Sequence, residues 1–155
     1  MRVEALEKRF LWLSGGLLVA CLAALVYAST ARGIHLPTHD AIVDPATLPD
    51  TPPFDQPGVR EIGPGRYEVV LVARTWVFTP NEIRIPAGAE VTFVATSGDV
   101  LHGLLVAGTR VNVMLIPGQV TRLTHRFREP GEHLLICHEY CGIGHHQMVS
   151  RMYVK

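Results

Sequence analysis

From Phe10 to Ala31 the chain reads FLWLSGGLLVACLAALVYASTA, with no charged side chain. At about 1.5 Å of rise per residue, a helix of this run covers the roughly 30 Å hydrocarbon core of a bilayer. Arg2, Lys8 and Arg9 precede the run and only Arg32 closely follows it. The positive flank places the N-terminus in the cytoplasm and residues 33–155 outside. The competing reading is a cleaved export signal, because Val26-Tyr27-Ala28 looks like a small-residue cleavage site and Leu18 to Cys21 (LVAC) like a lipoprotein processing box. The run outlasts an ordinary signal core and continues past Cys21 without a polar break, which favours an uncleaved anchor over residues 1–32. Either reading sends the remainder across the membrane.

In that remainder, residues 33–58 carry Asp40, Asp44, Asp50 and Asp55, many prolines and no Lys or Arg. Neither a helical nor an alternating period runs through them, so they read as an extended linker wrapped over something else. From residue 59 the pattern turns to short β-branched runs. Strands are predicted at Arg66–Arg74, Glu82–Ile85, Glu90–Thr96, His102–Val106, Thr109–Ile116, Gln119–Phe127, Glu132–Cys137 and Val149–Val154, with PAG, SGD and two PG turns between them. Many short strands at close spacing imply an all-β sandwich or barrel over residues 59–155. With 14 Lys plus Arg against 14 Asp plus Glu, nothing points to nucleic acid or another strongly charged partner.

Between the last two predicted strands lies CHEYCGIGHHQM, Cys137 to Met148. A disulfide between Cys137 and Cys141 is the plainest reading in an exported domain, but it needs neither His145 nor Met148. Zinc would take two thiolates and two imidazoles and has no use for a thioether. Thiolate, imidazole and thioether together are the soft ligands of copper. Two thiols four apart, on a loop that Gly142 and Gly144 can bend, suggest two coppers bridged by both sulfurs. Each copper then needs an imidazole. His145 supplies one, and His102, directly after SGDVL at the same predicted end of the sandwich, is preferred to His35, His39, His125 and His133 for the other. His138 and His146 are read as polar loop residues.

The run Cys137-x-Glu139-x-Cys141-x-x-x-His145-x-x-Met148, with the upstream DVLHG and a preceding anchor, resembles subunit II of the haem-copper cytochrome c oxidases over nearly the whole chain. The single anchor, DVLHGLLVAGTRVNV and CGIGHHQM are most similar to the B-type oxidases of thermophilic and related bacteria. The resemblance implies a cupredoxin-like Greek-key fold holding the dinuclear CuA centre, anchored in the bacterial cytoplasmic membrane. It implies that Cys137 and Cys141 bridge both coppers, that His102 and Met148 complete one, and that His145 and the carbonyl of Glu139 complete the other. Electrons would come from cytochrome c and pass to haem in subunit I of a proton-pumping complex. B-type relatives carry an amide where Glu139 stands, whereas in A-type relatives the carboxylate at this position helps bind Mg²⁺ at the subunit I interface, so the resemblance leaves Mg²⁺ at Glu139 open. Glu7 matches an acid at the mouth of the proton channel, and Trp76 an aromatic where the cytochrome docks. The rival readings are an anchored copper chaperone or free cupredoxin, and the CuA subunit of a related NO reductase.

Overall fold

The computed structural model describes residues 4–31 and 38–155, without the side chains of residues 38–40. Arg2, Arg32, His35 and the side chain of His39 therefore lie outside the described residues. The chain divides into two compact units at Leu36/Pro37. In the first, Ala5–Ala31 is one helix, α1. Phe10, Trp12, Leu18 and Leu22 are all exposed on it, and a helix that is apolar all round needs an apolar surrounding. Among the described residues it is the one helix long and apolar enough to cross a membrane.

The second unit is a sandwich of two sheets. Its strands are β1 (Thr38–Ile42), β2 (Gly58–Gly63), β3 (Arg66–Arg74), β4 (Val77–Thr79), β5 (Glu82–Ile85), β6 (Glu90–Ser97), β7 (His102–Val106), β8 (Asn112–Leu115), β9 (Gln119–Arg126), β10 (Gly131–Ile136) and β11 (Val149–Val154). One sheet runs β1-β9-β6-β3-β2 with β4 on β3, the other β5-β11-β10-β7-β8. β3, β5, β7 and β11 have the bounds the sequence predicts. β8 is shorter at its start because Thr109 is held in a turn, its N–H and Oγ1 both donating to the Val106 carbonyl at 3.1 and 2.7 Å.

Between the sheets, Val69, Leu71 and Phe93 from the first meet Leu104, Leu135 and Met152 from the second. A second apolar layer covers the outer face of the first sheet. There Val70, Val72, Val94 and Val120 pack with Val43, Leu48 and Phe54, all three from the segment expected to be a linker. That expectation needs correction. β1 pairs with β9, the Asp44 carboxylate accepts the Ala46 N–H at 2.9 Å and caps a 3₁₀ turn at Pro45–Asp50, and Leu48 is fully buried. The folded unit begins at Pro37 rather than at residue 59. The reason is in β3: its Val69–Ala73 stretch is buried without alternation, and such a strand needs cover on both faces.

β3 and β6 are parallel, so both deliver their C-terminal ends to the same end of the sandwich. The β3–β4 turn, the β6–β7 loop and the β10–β11 loop meet there.

Candidate metal centre

β10 pairs with β7 through Leu135↔Val106 and Ile136↔Leu105. Continuing that antiparallel register carries Cys137 toward His102 at the start of β7. The following loop closes at its base, where the Cys137 N–H donates to the Met148 carbonyl at 3.1 Å. Gly142 makes the bend with φ +114°, a conformation that favours glycine. A 3₁₀ turn at His145–Gln147 then turns the chain back. It is held by His145 N–H to the Gly142 carbonyl at 3.0 Å and Met148 N–H to the His145 carbonyl at 3.1 Å.

Six donors converge. The Cys137 and Cys141 sulfurs are 3.8 Å apart, and both cysteines are free, so the disulfide reading has no support here. His102 Nδ1 lies 3.8 Å from the Cys137 sulfur and His145 Nδ1 3.5 Å from the Cys141 sulfur. The Met148 sulfur is 3.6 Å from that of Cys141, and the Glu139 carbonyl oxygen 3.2 Å from that of Cys137. His102, Cys137 and Cys141 offer ligand atoms that all lie within 4.8 Å of one another. His102 and Met148 are wholly buried, and the two cysteines nearly so. The donor set is soft and mixed, with His145 and Glu139 half-buried beside the four buried donors, which fits copper.

The electrostatics prepare this cluster. His102 Nε2 is 2.8 Å from Asp99 Oδ1, so the ring proton sits on Nε2 and Nδ1 turns its lone pair toward the sulfurs. Burial would raise the Asp99 pKa. Hydrogen bonds from the Thr75 N–H, His102, the Val100 N–H and the Thr75 hydroxyl outweigh it and hold the carboxyl at about 2. Cys141 is pushed up to about 11, first by burial, then by the Cys137 thiol and the Asp99 charge.

Trp76 lies against the ligand loop: a Cβ at Gly144 would stand 2.7 Å from its Cγ and Cε3, and one at Gly142 3.2 Å from its Nε1. The indole is nonetheless 45% exposed. His138 lies the same way over Gly103, and His146 is exposed. His125 and His133 are apart from the cluster, on β9 and β10, each edge-on to Phe127. Glu7, in the first turn of α1, accepts the Glu4 N–H at 3.1 Å. Two residues of the site were not singled out from sequence, Asp99 and Thr75. In the sequence SGD reads as a turn, although an acid three residues before a candidate ligand histidine is the available signal.

The family model for the periplasmic domain of cytochrome c oxidase subunit II matches residues 68–153. Cytochrome c oxidase subunit 2 of Thermus thermophilus is 37% identical over 157 residues, covering 99% of this chain and 94% of the relative. A chain in the cryo-EM structure of a haem-copper terminal oxidase dimer superimposes with TM-score 0.81 at 38% identity, covering 96% of this chain and 99% of that one. The periplasmic domain of subunit II of cytochrome oxidase from Bradyrhizobium japonicum gives TM-score 0.53 at 18% identity, covering 57% and 83%, and shares the fold. The architecture is the all-β, cupredoxin-like sandwich with one N-terminal helix that the sequence implied.

Proposed function

The chain belongs to the cytochrome c oxidase subunit II family, and from that premise we propose that it is the membrane-anchored subunit through which electrons from cytochrome c reach haem in subunit I of a proton-pumping oxidase. The observation that carries this reading is the convergence of both cysteine sulfurs with the Met148 thioether, His102 and His145 within 3.5–3.8 Å contacts. Cys137 and Cys141 would bridge two coppers, His102 with Met148 would complete one, and His145 with the Glu139 carbonyl the other. When bound, such a pair shares one electron over both ions and so supplies one-electron transfer with little change of geometry.

The protein's own part is to hold and shield. The sheets fix β7 and β10, and loops seated on rigid strands place ligands precisely. Asp99 fixes the His102 tautomer, and burial of the thiols keeps water out. A chaperone should present exchangeable ligands at its surface, and here His102, Cys137, Cys141 and Met148 are buried. Trp76 covers the loop and faces outward in an apolar neighbourhood with Val77 and Ile143 exposed, which suits a docking site for the cytochrome. Lys8 and Arg9 at the start of α1 support a cytoplasmic N-terminus and an outer-face domain. The Glu139 carboxylate is the candidate Mg²⁺ ligand toward subunit I, and Glu7 the candidate proton-gathering acid.

Metal analysis of the purified chain, together with electron paramagnetic resonance, tests the copper reading. Two coppers per chain with one unpaired electron spread over both nuclei are expected. One copper with a single-thiolate blue spectrum would overturn it.

A further inference from the structure

The β3–β4 turn touches both loops that carry the donor set. Trp76 lies on Gly142 and Gly144 of one. Its neighbour Thr75 engages the other, donating to Asp99 Oδ2 from its N–H at 2.7 Å and from its hydroxyl at 3.0 Å. The opposite carboxylate oxygen, Oδ1, accepts the Val100 N–H at 2.7 Å and meets His102 Nε2 at 2.8 Å. The β6–β7 loop is further tied to β3 by Gly98 N–H to the Ala73 carbonyl at 2.9 Å and by Arg74 Nη1 to the Gly98 carbonyl at 3.2 Å. A continuous path of short hydrogen bonds thus joins the residue beside the exposed indole to a buried imidazole.

We propose that the Thr75 hydroxyl is a positioning group for His102, acting through Asp99, so that the turn bearing Trp76 also sets the electron affinity of the centre. This rests on the copper reading above. The main-chain N–H of residue 75 would hold Asp99 whatever its side chain; the hydroxyl is a second donor to the same oxygen. Each donor draws electron density from the carboxylate and weakens its pull on the His102 Nε2–H. Without the hydroxyl the carboxylate pulls harder, the ring becomes more basic at Nδ1, and the more highly charged oxidised centre is favoured. Removing the hydroxyl should therefore lower the reduction potential.

Thr75→Val keeps the N–H and the branched shape and removes the hydroxyl; Thr75→Ser restores the hydroxyl on a smaller side chain. The full chain, loaded with copper, is equilibrated with a mediator of fixed potential after copper per chain has been counted. With two coppers in every variant, the reduced-to-oxidised ratio should fall in Thr75→Val by a factor of about 2 to 10, the weight of one hydrogen bond, and return in Thr75→Ser. In the metal-free protein the His102 Nε2–H resonance should move downfield in Thr75→Val and not in Thr75→Ser, a readout that survives a variant that fails to load copper. An unchanged ratio and resonance in Thr75→Val, or equal shifts in both variants, would overturn the inference while leaving the copper reading intact. A wild-type chain without a copper pair would overturn both.

Discussion

At the residue scale, the proposed centre gives the Cys137 and Cys141 thiols a bridging role and the Met148 thioether a terminal one, and substitutions should separate these roles. Cys137→Ser or Cys141→Ser should abolish sharing of the electron, since one thiolate cannot hold the pair. Met148→Leu should retain both coppers and raise the reduction potential by removing a weak donor. Equal copper loss in Cys141→Ser and Met148→Leu would contradict the terminal role proposed for Met148. Uptake must also displace the proton held on Cys141, whose pKa stands at about 11. The apparent copper affinity of the metal-free chain should thus rise with pH by up to about tenfold per unit for each thiol deprotonated, measurable by competition with a chelator between about pH 6 and pH 8. A flat profile would show that the thiols are ionised before copper arrives. The raised pKa also makes the metal-free fold lose stability as pH rises from the ordinary thiol value of 9.0 toward about 11. Asp99 has the opposite sign: its contribution is present above the ordinary 3.8 and is lost as pH falls toward about 2.

At the scale of elements, the segment from Val43 to Phe54 is a cover for the first sheet. Val70, Val72, Val94 and Val120 lie under it. A chain begun at Val59 leaves those four side chains in water, whereas a chain begun at Pro37 keeps them covered. The shorter chain should melt at a clearly lower temperature by calorimetry and tend to aggregate. Leu48→Ala should itself cost about 2–5 kcal/mol, the usual range for a fully buried leucine. Equal melting temperatures for the two chains would show that the second apolar layer contributes little. The sequence signal for this layer was the unalternating VVLVA within β3, which demands cover on both faces, but periodicity does not say which segment provides it. The acids and prolines of residues 38–57 concealed three apolar anchors that become a layer only when β1 pairs with β9.

For the whole molecule, electron uptake should run through the end of the sandwich where Trp76 lies. Trp76→Ala should slow reduction by the donor severalfold or more in stopped-flow measurements, with copper content and melting temperature close to wild type. Because the chain carries 14 basic and 14 acidic side chains, docking should lean on apolar contact and the bimolecular rate should fall only modestly with salt. A large loss of stability with normal uptake would reduce Trp76 to a packing residue, and a steep salt dependence would refute apolar docking. In the assembled oxidase, Glu7→Gln should slow turnover without altering the copper spectrum if Glu7 gathers protons. Turnover unchanged across pH would leave Glu7 only the capping bond to the Glu4 N–H.

By itself the sequence determined what is local: an uncharged run long enough for a bilayer, strands marked by β-branched residues and turns, and five of the six donors within Cys137–Met148. These features depend on neighbours a few positions apart, so their chemistry can be read along the chain. The tertiary structure decided what depends on distant segments meeting. Parallel pairing of β3 with β6 brings Thr75 and Asp99, 24 residues apart in sequence, into hydrogen-bond contact. Pairing of β7 with β10 sets His102 beside Cys137, 35 residues on. The sequence could nominate His102 as a candidate ligand and holds Asp99 three residues before it, but only the closed sandwich supplies the Thr75 donors that hold that carboxylate and the indole that covers the loop. A buried polar group takes its state from whatever the fold places within hydrogen-bond reach, and that reach is set by sheet register, which no single strand encodes.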